Sequence, residues 1–135
     1  MLSLKDHIFM KKAKTYGLTH IAIAVKDLKR TLAFYQKVFD VDIMYKQDGF
    51  LQVTTPGSND IIVFEEKKAP YGKTGGISHF GFRLRKAGDI EKITKKIKSA
   101  GGKIIDKGNF VPGSPYVFFK DPDGYEVEVW YEKEL

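Results

Sequence analysis

Two stretches of this chain open alike. Gly17-Leu18-Thr19-His20-Ile21-Ala22 lines up with Gly76-Ile77-Ser78-His79-Phe80-Gly81, 59 residues later. After each opening the hydrophobic pattern predicts the same order: a strand, a helix and three more strands. A unit of that kind cannot bury both faces of its sheet, because its single helix covers one side only. The other faces of the two copies must therefore meet, or surround something.

In the first copy, Thr19 to Val25 is a β run, and Asp27 is placed to cap a helix whose apolar side is Leu28, Leu32, Tyr35 and Phe39. Strands are predicted at 42–46, 50–54 and 60–65, separated by Asp48-Gly49 and by Pro56-Gly57-Ser58-Asn59. The loop from Lys67 to Gly76, rich in Gly, Pro and Lys, reads as a linker. In the second copy a strand is predicted over 77–85, and Asp89 caps a helix with Ile90, Ile93, Ile97 and Ala100 on its apolar face. Gly101-Gly102 stops that helix. Strands at 103–106, 116–120 and 125–131 follow, the last two joined by the turn Asp121-Pro122-Asp123-Gly124. The expected organisation is a leader at residues 1–16, to which no fold role is assigned, and one domain at 17–135 made of two modules, 17–66 and 76–132.

Strand alternation locates the chemistry. His20 shares its face with Ala22 and Ala24, and His79 with Gly81 and Arg83, while Ile21, Ile23, Val25 and Phe80, Phe82, Leu84 form the bulky opposite faces that suit a helix. The histidine faces are thus predicted to be cavity walls lined by small residues. In the last strand Glu126, Glu128 and Trp130 share a face, and Val127 and Val129 the other, so the glutamates are expected to point to the same cavity. A buried carboxylate needs a partner. A divalent metal ion held by two imidazoles and one carboxylate satisfies all three groups and leaves positions open for water or substrate.

Composition narrows the alternatives. The chain has no cysteine, which excludes disulfides, Cys-ligated metals and thiol nucleophiles, and suits a reducing, cytoplasmic setting. Its apolar runs are too short to cross a bilayer, so no membrane partner is expected. The net charge of +6 includes four lysines against one aspartate in residues 1–16, and the rest alternates with acids along helix faces, so no nucleic-acid partner is expected either.

These residues resemble the vicinal oxygen chelate superfamily, which includes glyoxalase I, fosfomycin resistance enzymes, extradiol dioxygenases and bleomycin resistance proteins. The resemblance covers Gly17 to Glu132 and is carried by three pieces. They are Leu18-Thr19-His20-Ile21-Ala22-Ile23-Ala24-Val25-Lys26-Asp27 with Ala33-Phe34-Tyr35, then Ser78-His79-Phe80-Gly81-Phe82, and finally Asp121-Pro122-Asp123-Gly124-Tyr125-Glu126-Val127-Glu128. It implies an α+β fold of two βαβββ modules forming an incomplete barrel around a central cavity. It also implies His20, His79 and Glu128 as metal ligands, with Glu126 at a more variable position and Glu128 as the catalytic carboxylate.

The implied cofactor is a divalent ion, Zn, Mn, Fe or Ni, acting as a Lewis acid on neighbouring substrate oxygens. The implied assembly is a homodimer. The expected activity is that of a metal-dependent lyase, isomerase or transferase of the glyoxalase-related class, working on a small oxygen-rich or electrophilic metabolite. A small-molecule-sequestering protein and a non-haem iron dioxygenase are the alternatives. Glyoxalase I often takes a further glutamate ligand from the last strand of the first module; here the residue nearest that position is read as Phe64 or Ile62, with Glu65 turned away. Arg83 is a candidate for pairing with a substrate carboxylate or phosphate, an exposed strand-end position being the other reading. Phe64, Tyr116 and Trp130 are candidate substrate walls.

Overall fold

In a computed structural model, described for residues 13–73 and 75–133, each half of the repeat folds into the same unit. The leader up to residue 12 lies outside the described residues. The first half runs β1 (His20–Val25), α1 (Leu28–Phe39), β2 (Asp42–Gln47), β3 (Phe50–Thr54) and β4 (Ile61–Glu66). The second runs β5 (Phe80–Arg83), α2 (Ile90–Ser99), β6 (Lys103–Asn109), β7 (Pro115–Lys120) and β8 (Glu126–Trp130). Each makes a four-stranded mixed sheet, in the orders β1-β4-β3-β2 and β5-β8-β7-β6. The first and last strands of each unit pair in parallel, so β1 and β5 are both edge strands. Neither sheet closes on itself, as an incomplete barrel requires.

Local chemistry explains the element ends. Asp27 accepts a hydrogen bond from the Arg30 amide at 3.2 Å and caps α1 as expected, while Asp40 closes it in the left-handed region at φ 57°. α2 differs from the expectation. Asp89 makes no side-chain cap bond, because a 3₁₀ turn at Ala87–Asp89 leads into the helix and already carries the chain into helical geometry. After α2 the Gly102 amide donates to the Ile97 carbonyl at 2.9 Å. A Cβ at 102 would stand 2.6 Å from Ile97 Cγ2, so this close return requires glycine.

The core lies between the two units. α1 buries Leu28, Thr31, Phe34, Tyr35 and Val38, a face rotated from the predicted one toward Phe34 and Val38, because the helix serves both sheets rather than its own alone. Phe34 lies 5.9 Å from Phe119 and Phe39 stacks on Phe82 at 3.8 Å, ring centre to ring centre. Burying such a side chain stabilises the fold by roughly 1.5–3 kcal/mol. Polar links reinforce the seam: Tyr35 donates to Asp121 at 2.8 Å, Arg30 pairs with Asp123 at 2.7 Å, and the Tyr125 hydroxyl donates to the Ala24 carbonyl at 2.7 Å. The turn 121–124 of the second unit is thus bolted to β1 and α1 of the first.

The consequence for function is which faces stay open. Ile23, Val25, Val127 and Val129 are buried on the helix side, whereas His20, Ala22 and Gly81 are exposed on the other. Among the described residues of one chain, nothing covers the histidine faces of the two sheets. Among the described residues, no helix is long and apolar enough to cross a membrane.

Candidate metal centre

Of the three expected ligands, two are neighbours. His79 sits one residue ahead of β5, and Glu128 lies in the middle of β8. His79 Nε2 and Glu128 Oε1 are 3.5 Å apart. The register explains the approach. Gly81 is directly opposite Glu128, and a Cβ there would come 3.1 Å from the Glu128 carbonyl oxygen and 3.3 Å from its Cβ. The missing side chain leaves the carboxylate room to turn toward the imidazole. The edge of the His79 ring meets Phe118 at 5.0 Å and 88°, which limits its swing.

His20, the first residue of β1, stands apart from that pair. Both histidines line a cleft of about 850 Å³ between the edge strands, together with Ile21, Phe39, Phe80 and Arg83. Glu128 is not part of that cleft's lining. Among the described residues of one chain, no group of three His, Asp or Glu side chains is close enough to hold a metal ion.

The donor chemistry of the pair fits a divalent cation. Two donors each about 2.1 Å from a tetrahedral ion are about 3.4 Å apart, close to the observed spacing. His79 and Glu128 remain 35% and 13% exposed at their side chains, so a cation can reach them. Two donors do not make a full site, and one chain does not bring His20 to them.

The other sequence candidates divide. Tyr116 and Trp130 lie side by side in register on the same face as Glu128 and are half-buried. Arg83 shares that face, but its guanidinium lies 5.7 Å from the centre of the Trp130 ring and donates to the Glu132 carbonyl at 2.9 Å. Phe64 does not reach the open face. It is fully buried, 4.9 Å from Tyr35, because its partners Ile23 and Leu51 belong to the core side. By register the residue opposite Ala22 in β4 is Val63, and Glu65, opposite Ala24, is already on the His20 face. Since Ala22 corresponds to Gly81 in the repeat, Val63 is the counterpart of Glu128, correcting the assignment to Phe64 or Ile62.

Phe118 and Asp106 were not anticipated. Phe118 pairs with both Glu128 and Asp106, and alternation carried outward from Glu128 through β7 would have found them. The Tyr116 hydroxyl donates to Asp106 at 3.0 Å, and that bond holds the phenol above its usual pKa.

The architecture defines a paired βαβββ protein with an imidazole and a carboxylate meeting on the open face of its second sheet. The sequence model of the Glyoxalase/Bleomycin resistance protein/Dioxygenase superfamily matches residues 17–129, and the chain belongs to that superfamily. Among curated relatives, a lactoylglutathione lyase of Arabidopsis thaliana is 27% identical over 141 residues, covering 96% of this chain and 49% of the relative. The metallothiol transferase FosB of Bacillus licheniformis is 25% identical over 123 residues, covering 89% of this chain and 78% of the relative. The chain spans about half or less of the length of the plant lactoylglutathione lyases it matches. Among solved structures, the fosfomycin resistance protein FosX of Listeria monocytogenes superposes with a TM-score of 0.76 at 25% identity, covering 89% of this chain and 96% of that one. A second crystal structure of that protein, complexed with Mn(II) and a sulfate ion, gives a TM-score of 0.75 at 25% identity.

Proposed function

We propose that the protein is a divalent-metal-dependent enzyme of the glyoxalase-related class that acts on a small oxygen-rich or electrophilic molecule as a homodimer. In this reading His79 and Glu128 of one copy and His20 of a second copy are the ligands. The observation that carries it is the 3.5 Å approach of His79 and Glu128 on a sheet face that no element among the described residues covers. The separation of His20 from that pair, together with the edge positions of β1 and β5 among the described residues, supports completion by a second copy. The similarity to FosX complexed with Mn(II) supports a divalent ion. A cytoplasmic setting belongs to the same reading.

A cation so held supplies Lewis-acid charge to substrate oxygens. The chain's own residues do the rest. Gly81 gives Glu128 its room, Phe118 braces the His79 ring, and Tyr116 and Trp130 wall the approach. In this reading Glu128 also carries the catalytic role.

The test is metal content and calorimetric affinity for Zn²⁺, Mn²⁺, Fe²⁺ and Ni²⁺ in the wild type and in His20→Ala, His79→Ala and Glu128→Ala. Near-stoichiometric binding that each substitution removes is the expected result. Absence of binding by every ion overturns the reading and leaves a metal-free small-molecule carrier.

A further inference from the structure

The open face of the second sheet carries a continuous row of rings that the ligand set does not use. Phe110 follows β6 at the tip of the β6–β7 hairpin and is 55% exposed. It stacks on Tyr116 with ring centres 4.2 Å and planes 22° apart. Tyr116 meets Phe118 edge-on at 5.6 Å and 69°, and Phe118 meets the His79 ring at 5.0 Å and 88°. The row therefore leads from solvent at the hairpin tip to the imidazole.

The row is built rather than incidental. Tyr116 is held by its bond to Asp106 and lies across Gly108, where a Cβ would come 3.0 Å from the Tyr116 hydroxyl and 3.3 Å from its ring. Glycine at that point lets the ring lie flat on the sheet. Core packing does not account for it, because the core side of β7 is Val117 and Phe119, both fully buried. Ring surface left open to water is unfavourable unless something covers it.

The charges beside the rings narrow what that is. Asp106 and Glu128 flank the row in register with Phe118. Of the cations on the same face, Arg83 lies against Trp130 and bonds the Glu132 carbonyl, while Lys120 and Lys103 stand opposite each other in register beyond Phe118, at the end away from the hairpin tip. An anionic group placed between Phe110 and Phe118 meets the Asp106 and Glu128 carboxylates first. An uncharged ring meets flat apolar surface.

The geometry points to Phe110, Tyr116 and Phe118 as the specificity-determining surface for a substrate bearing an uncharged aromatic ring, which they set against His79. This assignment rests on the reading of the His79–Glu128 face as the reactive one, and it separates that substrate class from phosphonates and from anionic conjugates.

The test uses the full chain with EDTA, so that ring binding is read without any metal. Calorimetry measures 1-naphthol, 1-naphthyl phosphate and decahydro-1-naphthol, which share a two-ring frame but differ in charge or aromaticity. Trp130, the one tryptophan of the chain, lies beside Tyr116 and gives a parallel fluorescence signal. The expected order is 1-naphthol tightest, with Phe110→Ala weakening it about threefold to tenfold, the worth of one ring–ring contact, and Phe110→Trp restoring it. Equal affinity for the three probes, tighter binding of the phosphate, or an unchanged Phe110→Ala affinity overturns the assignment. So does a Phe110→Ala variant that only separates copies in sedimentation, which makes the row an interface instead. Metal affinity measured on EDTA-free portions of the same preparations keeps the two readings apart. Ring selectivity without metal binding removes the metalloenzyme reading alone, and metal binding without ring selectivity removes this one alone.

Discussion

Tyr35 and Asp121, 86 positions apart, share a buried hydrogen bond of 2.8 Å that joins α1 of the first unit to the β7–β8 turn of the second. The same carboxylate accepts from the amides of Asp123 and Tyr125 at 3.0 Å each through its other oxygen. Tyr35→Phe removes one donor and leaves a buried carboxylate oxygen unpaired, so the expected cost is about 1–3 kcal/mol, read by chemical denaturation. A change below the error of that measurement would show that water replaces the phenol.

The same pair makes a prediction about pH. Burial raises the Asp121 pKa, more than its hydrogen bonds lower it, so the folded chain binds this proton more readily than the unfolded chain, whose carboxyl titrates near about 3.9. The stability contributed is therefore fully present below that value and is lost as pH rises through the folded pKa. Relative to Asp121→Asn, the wild type should gain melting temperature as pH falls from neutrality toward 4. Tyr35→Phe should steepen that dependence, because the phenol is one of the groups that lower the carboxyl. A flat difference between wild type and Asp121→Asn across this range would contradict both statements.

Gly81→Ala tests the space beside Glu128. The added Cβ stands 3.1 Å from the Glu128 carbonyl oxygen and 3.3 Å from its Cβ, so the β5–β8 pair must give by a few tenths of an ångström. Metal affinity should fall by about ten- to hundredfold, the scale seen when groups that orient a ligand are altered, while the chain stays folded by circular dichroism. Unchanged affinity would show that Glu128 does not depend on that gap.

A mixing experiment tests whether one site draws on two chains. His20→Ala and Glu128→Ala should each fail to bind metal alone. Unfolded and refolded together, they should yield heterodimers with one intact ligand set and one empty one, restoring up to one ion per mixed dimer. No recovery in a mixture shown by mass spectrometry to contain heterodimers would mean that the three residues do not act across an interface.

Much of this was legible before folding. The matched histidines gave the repeat, and alternation within single strands placed His20, His79 and Glu128 on the faces opposite the helices and Val127 and Val129 beneath them. What alternation cannot supply is register between strands. That is why Phe64 was mistaken for a wall and Val63 was passed over: the choice depends on which residue of β4 sits beside Ala22, a matter of backbone pairing across 41 residues of chain. The buried face of α1 was misjudged for a related reason. Its helix packs on a second sheet whose position no local period encodes, and Phe34 is buried there against Phe119. Asp89 had the right residue type for a cap, but the 3₁₀ turn made the cap unnecessary.

Val63 leaves the two halves of a duplicated chain chemically unequal. Had both kept a glutamate opposite the small residue of the edge strand, a paired site would hold two imidazoles and two carboxylates, and a dication there would be electrically balanced. With valine in the first half, the proposed ligand set carries a single negative charge. A dication bound by it keeps one unit of positive charge in surplus, available to whichever substrate oxygen gains electron density.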